Sequence, residues 1–139
     1  MSTAHQATCV AIAGRGVLIE GPSGSGKSSL ALALIDRGAV LVGDDGVLLE
    51  AAGGRLLARP HPNIAGRLEV RNLGLLSFDT CLQATISLLL VLDEAAKRFV
   101  AEAESAERAG IRLPLVRLWP WTSVLPLRAE LALRRFGDP

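Results

Sequence analysis

Gly21-Pro22-Ser23-Gly24-Ser25-Gly26-Lys27-Ser28 is the stretch that decides how this chain folds. It satisfies G-x-x-x-x-G-K-S/T at every fixed position. Ahead of it, Gly16–Glu20 reads as a buried strand, a short apolar run between turn signals. Behind it, Ser28–Arg37 reads as a helix, with Leu30, Ala31, Leu34 and Ile35 at helical spacing and Gly38 at the C′ position. Ala39–Gly43 follows as a second apolar strand. Strand, glycine-rich loop, helix and strand predict a βαβ unit with a parallel pair and a right-handed crossover. A loop of this composition between a strand and a helix is a candidate phosphate cradle. Glycines let backbone N–H groups curl round phosphate oxygens without a Cβ clash, and the helix N-terminus adds unpaired donors. Lys27 then reaches the β- and γ-phosphates, and the Ser28 hydroxyl suits Mg²⁺.

Such a site needs further acidic groups. Asp44 and Asp45 leave the second strand at its carboxyl end, where ligands bind in open α/β sheets. One of the pair can face metal or substrate while the other makes a structural contact; an Asp-Asp-Gly turn opening a hairpin is the plain alternative. Downstream, Val47–Glu50 and Arg55–Arg59 flank a glycine turn and predict a hairpin. Leu68–Val70 is short and extended, Gln83–Leu92 is a long apolar strand, and Glu94–Ala109 reads as an Ala/Glu/Lys/Arg-rich helix. Pro114–Leu118 is a late strand and Leu127–Phe136 a closing helix. The fold class is therefore α/β, a single domain over residues 1–139 whose mixed sheet carries flanking helices. By composition alone Glu69 is a solvated strand residue and His5 a surface histidine. Trp119-Pro120-Trp121 reads as core packing or a subunit contact ahead of ligand stacking.

The 139 residues are half apolar and 21% charged, with a net charge of +1, which excludes a disordered chain. The neutral balance, 4% aromatic content and lack of Tyr argue against nucleic acid. Cys9 and Cys81 form no metal-ligand pattern and read as small hydrophobes in a reducing compartment. Leu73–Leu92 contains Asp79, Gln83 and several hydroxyls, so no membrane partner is expected, and with no signal-like opening the expected location is cytoplasmic.

Taken together, Gly21–Ser28, then Leu41-Val42-Gly43-Asp44-Asp45, then Leu68-Glu69-Val70-Arg71-Asn72-Leu73-Gly74 resemble the P-loop, acidic pair and Leu-Glu-Ile/Val-Arg signature of the HPr kinase/phosphorylase family. Order and spacing match over roughly residues 5–118, and the chain looks like the short form that lacks an extra N-terminal domain. The resemblance implies an ATP- and Mg²⁺-dependent enzyme that phosphorylates a serine of HPr, a small phosphocarrier of the phosphotransferase system, and can run in reverse with inorganic phosphate. It also implies a homo-oligomer, typically a hexamer. Carried onto this chain, Asp45 is the proton acceptor, Lys27 binds phosphate within Gly21–Ser28, and Ser28 and Glu69 are metal ligands with Asp44 beside them. His5 matches the family's active-site histidine, across a one-residue insertion.

Three departures accompany the resemblance. Ser29 stands where the family is usually acidic. Asn72 replaces a glycine. The shortened stretch Ser77–Ala84 lacks an arginine, which leaves charge neutralisation to Arg71, Lys27 and the metal, or to a neighbouring subunit through Arg67 or Arg117. The resemblance therefore points to a kinase that outruns its own reverse reaction. Another P-loop small-molecule kinase and a catalytically silent ATP-binding regulator are the alternatives.

Overall fold

A computed structural model describes residues 1–139. Its strands are β1 (Thr3–His5), β2 (Thr8–Ile12), β3 (Arg15–Glu20), β4 (Val40–Gly43), β5 (Val47–Ala52), β6 (Arg55–Pro60), β7 (Arg67–Val70), β8 (Gly74–Ser77), β9 (Ala84–Leu92), β10 (Glu104–Arg108) and β11 (Ile111–Leu118). The helices are α1 (Lys27–Asp36) and α2 (Leu125–Phe136). Nine strands form one curled mixed sheet in the order β1-β5-β6-β9-β3-β2-β4, with β11 also on β9 and β10 on β11. β7 and β8 make a separate two-stranded ribbon.

β9 is the hub of the sheet. One edge pairs in parallel with β3 along its length; the other pairs with β6 at Ala84 and Thr85 and with β11 from Leu89 onward. The register against β3 slips between Gly16 and Val17, so Ser87 is skipped. A bulge reverses which face each side chain takes. Before it, Ala84 and Ile86 join one core; after it, Leu88, Leu90 and Leu92 join the other. The two cores lie on opposite faces. Val17, Ile19, Leu88 and Leu90 pack under Leu30, Leu34, Ala129 and Leu133 of the two helices, while Leu18 and Leu89 pack against Leu49, Leu56 and Leu113. Alternation of Val17-Leu18-Ile19 between the faces is the period-2 pattern of a strand buried on both sides.

The structure corrects two sequence expectations. β3 and β4 run parallel but are not neighbours: β2, unforeseen in the sequence, lies between them and is antiparallel to both. A two-residue turn at Ala13-Gly14, with φ of 49° and 80°, lets β2 fold straight back onto β3 before the crossover is made. The predicted helix Glu94–Ala109 is instead a turn followed by β10, which pairs with β11 across Ala109-Gly110, at φ of 51° and 80°. Helix propensity in that stretch yields to a full ladder with β11 and to contacts made by Ala106 and Arg108. The hairpin at Gly53-Gly54, the mixed sheet, the two remaining helices and both long strands agree with the sequence reading.

Candidate active site

Because β3, β9 and β11 run parallel, their carboxyl ends at Glu20, Leu92 and Leu118 open on the same side of the sheet. A cleft of about 780 Å³ lies there. Its walls are the Gly21–Ser28 loop with the start of α1, the ribbon residues Glu69 to Gly74, and the segment Pro120–Pro126.

The loop is built for close approach. A Cβ on Gly21 would lie 2.8 Å from Ser25 Oγ and 3.1 Å from the Leu92 carbonyl, so only glycine fits beneath the turn. Gly26 caps α1 at φ 96°, a left-handed conformation, with no side chain bonded to the first-turn amides. Those amides therefore face the cleft as ready donors. Ser25 Oγ is buried with no protein partner, an orphaned polar atom inside the cradle. Lys27 Nζ donates to the carbonyls of Gly21, at 2.9 Å, and Pro22, at 3.2 Å, which keeps its charge over the loop.

Asp44 does not line the cleft; it lies behind the lining residues Ser28 and Glu69 and ties their elements together. It is only 7% exposed, and its carboxylate accepts from Thr8 Oγ1 at 3.0 Å, Ser28 Oγ at 2.7 Å and the Glu69 backbone N–H at 3.0 Å. One carboxylate thus joins β2, α1 and β7. Buried carboxyl oxygens require such donors. Ser28 and Glu69 both line the cleft, so the oxygen groups there are of the hard type that suits Mg²⁺. Arg71 lines it too, with its side chain exposed. Asn72 takes φ 74°, so the residue standing in for a glycine keeps the left-handed turn that asparagine tolerates.

Asp45 and His5 are placed differently. Like Asp44, neither lines the cleft, but unlike Asp44 neither bonds to a residue that does. Asp45 is exposed at φ 60°, two residues before Val47, which pairs with His5 across β1 and β5. Gln6 Nε2 lies 3.5 Å from Asp45 Oδ1, so the two residues share one corner of the sheet. His5 Nε2 lies 2.8 Å from Glu20 Oε2, at the last strand residue before the loop. Arg108 grips the same carboxylate at both oxygens, at 3.0 and 2.6 Å. Burial raises the Glu20 carboxyl, but hydrogen bonds from Arg108 and His5 outweigh it and hold the group below the ordinary carboxylate range. Sequence reasoning missed Thr8, Glu20 and Arg108. A charged residue closing an apolar strand against the loop, Val17-Leu18-Ile19-Glu20, was the available signal for one of them. Arg117 is paired with Glu104 and Asp93 of its own chain, so it is not a free cation for a neighbouring subunit.

The fold and this cleft define a class: a mixed-sheet α/β domain with a G-x-x-x-x-G-K-S loop between strand and helix and an aspartate behind the loop serine. The profile of the HPr Serine kinase C-terminal domain family matches residues 1–108, and the chain belongs to that family. It is 37% identical over 101 residues to the HPr kinase/phosphorylase of Mycoplasmopsis pulmonis, an alignment covering 73% of this chain and 31% of that protein. It is 33% identical over 132 residues to the HPr kinase/phosphorylase of Chlorobium chlorochromatii, covering 82% and 38%. The chain thus spans less than two-fifths of the length of these curated relatives. The solved structure of the HPr(Ser) kinase/phosphatase from Coxiella burnetii superposes with a TM-score of 0.83 at 27% identity, covering 95% of this chain and 94% of that one. No helix is long and apolar enough to cross a membrane.

Proposed function

We propose that the chain is an ATP- and Mg²⁺-dependent kinase that phosphorylates a serine of an HPr-like phosphocarrier protein, in the cytoplasm, and that its forward reaction outruns phosphate-driven reversal. The observation that carries the reading is the Asp44 cluster: one buried carboxylate holds the loop serine Ser28 and the Glu69 segment against the phosphate cradle. Family membership supports the substrate class. In this reading the Gly21–Ser28 amides and Lys27 bind the triphosphate, and Lys27 exchanges its loop carbonyls for phosphate oxygens. Ser28 and Glu69 hold Mg²⁺, with Asp44 orienting Ser28 from behind. Bound Mg²⁺ supplies charge neutralisation at the phosphate oxygens. Asp45 accepts the proton of the substrate hydroxyl at a carboxylate oxygen as that hydroxyl attacks the γ-phosphorus, the bond to the β–γ bridging oxygen breaks and ADP leaves. Arg71 lends positive charge from the ribbon side, and His5, steadied by Glu20, lies on the Asp45 side.

Exposed Leu73, Leu75 and Leu82, at 72%, 64% and 85%, support a homo-oligomer, which light scattering at micromolar concentration checks; a monomer there removes that part of the proposal. The function itself is tested with labelled ATP, Mg²⁺ and an HPr-like protein, followed by identification of phosphoserine. Lys27→Ala is expected to lower transfer about 100- to 1,000-fold with the fold intact. Transfer at the parent rate overturns the reading. One observation favours a second reading, a nucleotide-binding regulator: Asp45 and His5 do not line the cleft. Tight ATP binding with no phosphoserine on any carrier identifies that case.

A further inference from the structure

Trp121 stands at the mouth of the cleft with no assigned role. It lies beyond the residues matched to the family profile. It is 50% exposed, so it is not core packing, and its side chain lies against the phosphate loop: a Cβ on Gly26 would be 3.9 Å from Trp121 Cζ3. The segment carrying it follows β11, two strands from the loop strand β3 across β9, all three parallel. Ligands in such sheets lie across the carboxyl ends of neighbouring strands, so a molecule anchored by phosphates at the end of β3 extends toward the end of β11. The same cleft is lined by Ser29 and Ala33 of α1 and by Thr122 and Ser123, the two residues that follow Trp121 in the chain. A half-exposed aromatic face on the wall of the cleft that holds the loop, with hydroxyls lining the same cleft, is the chemistry that recognises a nucleobase.

We propose that Trp121 stacks on the base of the nucleotide whose phosphates the Gly21–Ser28 loop holds, with the Thr122 and Ser123 hydroxyls beside the base edge. The inference rests on the nucleotide reading of the loop, so its test uses two ligands: ATP, and inorganic tripolyphosphate, which has phosphates and no base. The two tryptophans and the lack of Tyr make Trp121 the sole strong fluorophore in a Trp119→Phe chain. In that chain ATP is expected to quench the fluorescence and tripolyphosphate to leave it nearly unchanged. By calorimetry, Trp121→Ala is expected to weaken ATP binding about 5- to 150-fold, while tripolyphosphate binds as before and Trp121→Phe restores most of the loss. ATP binding at parent affinity in Trp121→Ala, with tripolyphosphate still bound, overturns the stacking inference alone. A changed oligomeric state with unchanged ATP affinity assigns Trp121 to a subunit contact instead, and also overturns it. Failure of the parent chain to bind tripolyphosphate removes the loop reading itself.

Discussion

The two walls of the cleft are held by different physics. On one side, the glycine loop and α1 are anchored by Leu30, Ala31 and Leu34 in the core and by the three hydrogen bonds that converge on Asp44. On the other, the β7–β8 ribbon stands outside the main sheet; Leu68 is fully buried beneath it, yet every residue of β8 is exposed. One wall is fixed within the chain's own interior, and the other offers an apolar edge to something beyond it. The proposed transfer to a protein substrate uses both: a preorganised cradle, whose donors must not reorganise as charge develops, and a face that the substrate or a second subunit can cover.

The adjacent aspartates carry this contrast into two neighbouring residues. Asp45→Asn is expected to lower transfer about 100- to 10,000-fold, read by phosphoserine formation, with the unfolding midpoint in urea unchanged. Asp44→Ala is expected to destabilise the fold by about 3 kcal/mol, because it strands Thr8 Oγ1, Ser28 Oγ and the Glu69 N–H. If Asp44→Asn abolishes transfer while Asp45→Asn does not, the roles are reversed and the contrast fails.

Within the ribbon, burial sets the expected ranking. Leu68→Ala removes a fully buried side chain and is expected to cost about 2–5 kcal/mol of stability. Leu75→Ala, at a residue 64% exposed, is expected to change stability by less than about 0.5 kcal/mol. Comparable losses at both positions in denaturant melts would mean that the ribbon is covered within its own subunit.

A smaller effect is expected at the strand end before the loop. The folded-state pKa of Glu20 lies below its ordinary value of 4.5, so its contribution is present above that value and lost as pH falls through the folded one. Stability measured in urea is expected to drop between about pH 4.5 and the lower folded value, by less in Glu20→Gln than in the parent. Equal acid slopes in the two chains would show that the clasp by Arg108 and His5 contributes nothing to folding.

The local motif was legible because its chemistry is local. Eight consecutive residues define the loop, the apolar spacing of α1 announces the helix, and Gly53-Gly54 marks its own hairpin. Asp44 and Asp45 were nominated by residue type and position, whereas Glu69 was nominated only through the resemblance of Leu68–Gly74 to the family signature. That Asp44 turns inward to bind Ser28 while Asp45 faces solvent depended on which groups β2 and β7 bring alongside. The sequence alone therefore determined the class of the domain, the glycine-rich loop between strand and helix, and the two aspartates that leave the following strand.

Tertiary structure decided what long-range pairing controls. Residues 94–109 have helix-favouring composition, yet 104–108 become a strand because β11 supplies a ladder and Arg108 reaches Glu20, 88 positions earlier in the chain. β2 lies between β3 and β4, joined to β3 by a two-residue turn at Ala13-Gly14 that closes the hairpin at little entropic cost, so the edge of β3 that β4 would pair with is already occupied. Trp121 reaches the loop at Gly26 only because β11 lies parallel to β9 and β9 to β3. Propensity and spacing act over a few residues, whereas strand order and the partner of a buried charge are settled by contacts between distant segments, which no local window of the sequence contains.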